Sequence, residues 1–240
     1  MDYKGIIINN LRAKGTLTPA EQRAQYKNAV HSLNTPYDVV IKDCDFGLNG
    51  YNYVEIGLNS KVEPPRSILI ENCNFSGVLS NNAILVFGTQ DNATVTIRNC
   101  KFNSVSNMLR ISNRTNASGV LFNIEDCTVD SYDKTPAWRA VLLFENYTDK
   151  TADAIEANNR FGPDKIMINI KNLICEGKPF SPTTIKSVTN TAAEDQLIVW
   201  CNDYIQGEGY IPAPDTILGK LPKIFVDDVE IPVDVENAGE

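Results

Sequence analysis

Apolar and polar residues alternate along this chain in short bursts, and one burst is written several times over. "VVIKDCDF" (39–46), "ILIENCNF" (68–75), "VTIRNCKF" (95–102) and "FNIEDCTV" (122–129) follow a single scheme. Two apolar positions alternate with their neighbours, a charged residue and an Asn or Asp follow, and the alternation then resumes one residue out of step. A period of two predicts a strand, and the one-residue slip predicts a corner between two short strands. Asn and Asp suit that corner because they tolerate the left-handed backbone region and bond to their own backbone. A second alternating run follows each phrase: "YVEIGLN" from Tyr53, "NAILVFG" from Asn82, "NMLRISN" from Asn107 and "RAVLLFEN" from Arg139. Each repeat therefore predicts about three short strands joined by corners rich in Asn, Ser and Gly.

Anchored on its Asn or Asp, the phrase recurs at Asn10, Asp43, Asn72, Asn99, Asp126 and Asn172, with steps of 33, 29, 27, 27 and 46, and Cys201 marks a looser copy. A period near 27 residues is that of a solenoid, in which each repeat stacks on the next. The expected fold is all-β, a right-handed parallel β-helix of about six to seven coils. Stacked at about 4.8 Å, the copies form uniform columns. Before the corner stand Ile8, Ile41, Ile70, Ile97, Ile124 and Ile170; after it Leu11, Cys44, Cys73, Cys100, Cys127, Leu173 and Cys201; then Phe46, Phe75, Phe102 and Val129. The cysteines read as small buried hydrophobes. In-register side chains one strand apart are too distant for easy bridging, so free thiols are expected. A redox or metal role is the less favoured reading, since no CxxC occurs.

Just after the ladder Ile stand Lys42, Glu71, Arg98, Glu125 and Lys171, whose signs alternate coil by coil. Such a column predicts a self-stabilising surface rather than an anion groove or a calcium cage.

A solenoid must close its two ends. "TPAEQRAQYKNAVHSL" (18–33) carries Thr18, Pro19 and Glu21 in capping-box spacing, which predicts a capping α-helix at the N-terminal end. The long step after Asp126 holds a polar insertion, 146–164, with a short helix expected over 151–158 and Trp138 and Arg139 near its base. Residues 1–205 then form the β-helix. Residues 206–240, with four of the 12 prolines, form a C-terminal arm or cap that either closes the stack or docks on a neighbour.

Composition narrows the chemistry. Lys+Arg number 22 against 30 Asp+Glu, a net charge of −8, which opposes a general nucleic-acid or anionic-membrane partner. The apolar run 6–8 is too short for a signal peptide, so synthesis in a cytosol is expected. His31, the single histidine, falls in the predicted capping helix, which leaves no His-centred dyad or triad. Asp43 and Asp126 are three coils, about 14 Å, apart, too far for a glycosidase pair. Asp45, Asp227, Asp228 and Glu230 read as solvated turn or tail charges. Among the outward positions of the second run, Glu55, Leu85, Arg110 and Leu142, the two leucines suggest a covered face. Sequons at Asn92, Asn113, Asn116 and Asn146 match by composition. No GxGxxG or GxxxxGK[ST] motif is present. No catalytic, cofactor-binding or metal-ligating residues are assigned, and no cofactor is expected.

The phrases "ILIENCNF" and "VTIRNCKF", with their apolar ladder and Asn corner, resemble the right-handed parallel β-helices of the pectin-lyase-like superfamily over roughly residues 5–204. That resemblance covers polysaccharide lyases and hydrolases, phage tailspikes and non-enzymatic virion and surface proteins, so it implies a fold and not an activity. The expectation drawn here is a non-catalytic structural or interaction protein, a phage virion component in capsid decoration, tail or baseplate. It would be made in a host cytoplasm, would assemble as a homo-oligomer such as a trimer, and would meet other virion proteins through the C-terminal arm. The alternative is a carbohydrate-binding or polysaccharide-degrading β-helix of tailspike or lyase type, or a secreted adhesin, acting outside the cell.

Overall fold

The structure, a computed structural model, describes residues 5–14, 28–47, 52–77, 82–132, 140–148, 161–182, 185–188, 197–205, 209–210, 221–231 and 235–238. In chain order the strands are β1 (Gly5–Asn9), β2 (Arg12–Lys14), β3 (Val30–Thr35), β4 (Asp38–Lys42), β5 (Asp45–Gly47) and β6 (Val54–Leu58). Then come β7 (Ser67–Glu71), β8 (Asn74–Ser76), β9 (Asn82–Gly88), β10 (Thr94–Arg98), β11 (Lys101–Asn103) and β12 (Asn107–Ile111). The next group is β13 (Val120–Glu125), β14 (Thr128–Val129), β15 (Ala140–Thr148), β16 (Ile166–Lys171), β17 (Ile174–Cys175) and β18 (Lys178–Pro179). The last are β19 (Ile185–Val188), β20 (Ile198–Ile205), β21 (Gly209–Tyr210), β22 (Lys223–Val226), β23 (Val229–Glu230) and β24 (Val235–Ala238). From β1 to β17, every third strand joins the same sheet. The first sheet runs β1-β4-β7-β10-β13-β16-β22-β23, the second β18-β17-β14-β11-β8-β5-β2, and the third β24-β19-β20-β15-β12-β9-β6-β3. The fold is an all-β parallel solenoid.

The register follows the repeated phrase. Ile41, Ile70, Ile97 and Ile124 face one another across β4, β7, β10 and β13. Their side chains and Ile170 are buried, so each contributes about 1.5–3 kcal/mol of burial. The corners take the predicted left-handed backbone: φ is 57° at Asn10, 54° at Asp43 and Asn72, 50° at Asn99 and Asn172, and 52° at Asp126. Beyond the corner, Phe46, Phe75 and Phe102 stack in a row, with centroids 4.9 Å and 5.0 Å apart. Tyr53 closes that row against Phe46 and donates its hydroxyl to Ser76 O at 2.6 Å.

The structure corrects several expectations. The solenoid is regular for about four turns, β4 to β15, rather than six to seven. The first copy, at Asn10, still gives β1, β2 and β3 to the three sheets, but the pattern breaks down at the C-terminal end. The copy at Asn172 runs only into the two-residue β17, which folds back on β18. Cys201 is no copy at all. It lies in β20, opposite Glu145 in the third sheet, and its alternation belongs to that strand. The last partner of the first sheet is instead β22, where Ile224 and Val226 lie opposite Ile168 and Ile170.

No helix covers 30–33. Those residues form β3, paired in parallel with β6 through a register shift between Ser32 and Thr35, with Val30 buried and Leu33 exposed. Residues 18–27 of the predicted helix lie outside the described residues, as do Trp138, Arg139 and the helix expected over 151–158.

Two of the C-terminal sheet edges are closed by hairpins. β17 turns into β18 through Glu176 and Gly177, with φ of 50° and 75°, and β22 turns into β23 through Asp227 and Asp228, with φ of 47° and 68°. Paired positive φ in a two-residue loop is the type I′ requirement, whose twist matches the flanking strands.

Candidate functional site

Two of the columns on the outer face of the first sheet are a charged one and a middle one. The charged one is in register: Lys42 faces Glu71, Glu71 faces Arg98, Arg98 faces Glu125, and Glu125 faces Lys171. Glu71 takes Lys42 Nζ at 2.7 Å on one side and Arg98 Nε on the other. Those two hydrogen-bonded cations, Lys42 first, hold its carboxyl below the usual carboxylate range. Lys171 pairs with Asp228 of the hairpin at 3.1 Å. The middle column reads Ile7, Val40, Leu69, Thr96, Asn123, Asn169 and Phe225, and Ile7 at its start is 58% exposed.

The corner residues make an exposed amide ladder. Asn72 Nδ2 donates to Asp43 Oδ1 at 3.1 Å, Asn99 Nδ2 to Asn72 Oδ1 at 2.6 Å, and Asn172 Nδ2 to Asp126 Oδ1 at 2.9 Å. Asp43 and Asp126 each stand at the accepting end of a run, with the amides of Asn72 and Asn99 between them, so the column separates the two carboxylates as expected.

A second, buried ladder was not singled out from the sequence. Asn82 Nδ2 donates to Asn52 Oδ1 and Asn107 Nδ2 to Asn82 Oδ1, both at 2.9 Å, and Ala140 N donates to Asn107 Oδ1 at 2.8 Å. At its first rung, Asn28 Oδ1 accepts from Asn52 N at 3.0 Å, while Asn28 Nδ2 reaches Glu55 Oε2 at 2.7 Å and His31 Nδ1 at 3.0 Å. Asn52 Nδ2 adds 2.9 Å to the same Glu55 oxygen. The signal was available in the runs beginning at Asn82 and Asn107. An Asn ahead of an apolar run resembles any polar turn residue, however, and only the register exposes the column.

His31 and Glu55 are thus cross-strand neighbours on the third sheet, with His31 in a strand rather than in a helix. The outward column continues through Leu85, Arg110 and Leu143. Leu143 takes the place expected for Leu142, which is buried in the core in register with Leu109. Consecutive leucines leave the parity of that strand unmarked in the sequence. Leu85 is 5% and Leu143 1% exposed, whereas His31 at the head of the column is exposed and Glu55 and Arg110 are half-buried.

Cys44, Cys73, Cys100 and Cys127 form the expected column, and like Cys175 they are buried and form no disulfide. Each column thiol donates to the carbonyl two residues earlier: Lys42 O at 3.0 Å, Glu71 O at 3.2 Å, Arg98 O at 3.3 Å and Glu125 O at 3.2 Å. The neighbouring thiols of Cys127 and Cys73, and then burial, push Cys100 far above the usual thiol range. Burial likewise raises Cys44. The hydrogen bond from Cys100 shifts its two neighbours, Cys73 and Cys127, the other way, below the usual thiol range.

Asp227 and Asp228 form the hairpin loop, and Glu230 is exposed on β23. Asn113 is buried, accepts from Thr89 Oγ1 at 3.2 Å and donates to Ala117 O at 3.1 Å, so it cannot carry a glycan in the folded chain. Asn92 and Asn116 are exposed at turns, and Asn146 lies in β15. An open depression of about 340 Å³ lies between Tyr132, Leu197 and the hairpin around Glu176. Among the described residues no three His, Cys, Asp or Glu side chains converge as a metal site, and no helix is long and apolar enough to cross a membrane. Comparisons with protein-family models, curated proteins and solved structures found no match.

Proposed function

We propose that this chain is a non-catalytic structural or interaction protein, a right-handed parallel β-helix of the pectin-lyase-like kind that forms part of a phage virion, in capsid decoration, tail or baseplate. The observation that carries the reading is how the exposed polar groups are used. The outward charges of the first sheet pair across neighbouring coils at Glu71, and the corner amides bond to one another along the stack. A surface whose polar groups satisfy each other stabilises a scaffold and leaves little directional chemistry for a substrate. The virion assignment rests on resemblance to phage β-helix proteins. With it go synthesis in a host cytoplasm, assembly as a homo-oligomer such as a trimer, and contact with other virion proteins through the C-terminal arm, while β22 and β24 pair within the chain.

Light scattering on the purified protein, with incubation on a panel of polysaccharides, tests the reading. A trimer or larger assembly that leaves every polysaccharide intact agrees with it. A monomer that shortens one of them overturns it in favour of a tailspike- or lyase-type enzyme.

A further inference from the structure

The four-rung thiol column has a property that the packing role does not use. The equivalent positions at the ends of the stack are Leu11 and Leu173, so the corner accepts an ordinary apolar side chain, yet four consecutive coils carry sulfur there. Parallel pairing places Cys44, Cys73, Cys100 and Cys127 on successive coils in one line, with the corner before each and a second-sheet strand after it. Cys100 therefore has a thiol on the coil at each side of it.

Neighbouring rungs are separated by about one strand spacing, 4.8 Å. A disulfide needs Cβ atoms about 3.8 Å apart, so the register resists bridging. Two metal–sulfur bonds of the length thiolates make to zinc, about 2.3 Å each, span about 4.6 Å laid end to end, close to the strand spacing of about 4.8 Å. Because the rungs are collinear, a third sulfur cannot join the first two around one ion. Tetrahedral Zn²⁺ is therefore disfavoured, and a soft cation content with two thiolate-type ligands is favoured.

We propose that adjacent rungs of this column form two-coordinate sites for a soft d10 cation, of which Ag(I) and Cu(I) are the monovalent examples. A monovalent ion binds one sulfur as thiolate and the next as thiol. One S–H bond breaks, its proton leaves to solvent, two metal–sulfur bonds form, and no electron is transferred. The product is neutral, as an apolar column requires. The retained thiol keeps its hydrogen bond to the carbonyl two residues earlier. Solvent comes nearest at the corner, since each thiol directly follows an exposed residue, Asp43, Asn72, Asn99 or Asp126.

Spacing, rather than thiol number, decides the test. The double variant Cys44→Ala/Cys73→Ala keeps the adjacent pair Cys100 and Cys127, while Cys73→Ala/Cys127→Ala keeps Cys44 and Cys100, two rungs apart. Both retain Cys175 and Cys201, so these contribute equally. Each folded variant is mixed with silver nitrate in chloride-free buffer, passed through a desalting column and weighed by native mass spectrometry. The adjacent-pair variant is expected to retain one more Ag(I) per chain than the spaced-pair variant, with one proton released per ion retained. Equal retention by the two variants overturns the proposal, as does silver binding that occurs only in denaturant. If Cys73→Ala/Cys127→Ala has no cooperative melt, Cys44→Ala/Cys100→Ala leaves Cys73 and Cys127 at the same two-rung spacing and replaces it.

Discussion

At the scale of the residue, the repeated corner is a backbone device before it is a surface. Asn99 holds φ of 50° and donates to Asn72, so Asn99→Ala loses both the tolerated left-handed conformation and an amide bond. A loss of about 1–2 kcal/mol is expected in denaturant unfolding. Asn99→Gly, which has no Cβ to strain, should recover part of that loss. Replacement of Phe75, stacked between Phe46 and Phe102, by Ala should cost about 3–5 kcal/mol. Ile97→Asp should leave little cooperative unfolding, because it puts an unpaired charge into the buried ladder. If Ile97→Asp melted like the parent, the assigned register would be wrong. At this scale the sequence was informative. An Ile, a charge and an Asn written several times over name an inward position, an outward position and a corner without knowledge of the neighbours. The buried Asn52, Asn82 and Asn107 escaped because nothing local distinguishes a stacked amide from a turn residue.

At the scale of the element, the informative parts are the ends. Asp227 and Asp228 look in sequence like stray acids of a tail, yet they occupy a two-residue loop in which both φ values are positive. Asp228→Gly should therefore stabilise the chain by a few tenths of a kcal/mol or leave it unchanged, since Gly is favoured where φ is 68°. Asp228→Val should cost about 1–2 kcal/mol through the strained left-handed conformation, read by thermal melting. The reverse ranking would contradict the hairpin. The end strands were hard to read from sequence for a physical reason. A strand in the middle of the stack is fixed by neighbours on both sides, whereas the terminal strand β3 has a long connection on one side and a single partner, β6, to set its register.

At the scale of the whole molecule, stability should respond to acid through the charged column. Glu71 has its folded pKa lowered by Lys42 and Arg98, so its contribution is complete above the unfolded carboxylate value of about 4.3. It is lost as pH falls through the lower folded value. Glu71→Gln should be less stable by up to about 1 kcal/mol at neutral pH, and the gap should close in acid. A gap that stayed constant in melting curves taken from about pH 3 to pH 7 would show that the pairs contribute nothing.

The stack itself is tested most directly by its cysteines, since four residues far apart in sequence are claimed to share one buried column. The measurement is thiol labelling before and after denaturation, with the labelled sites located by mass spectrometry. Cys44, Cys73, Cys100 and Cys127 should stay unlabelled in the native protein, and all six cysteines should label once it is unfolded. Rapid native labelling of any of the four, or a disulfide among them, would contradict the account.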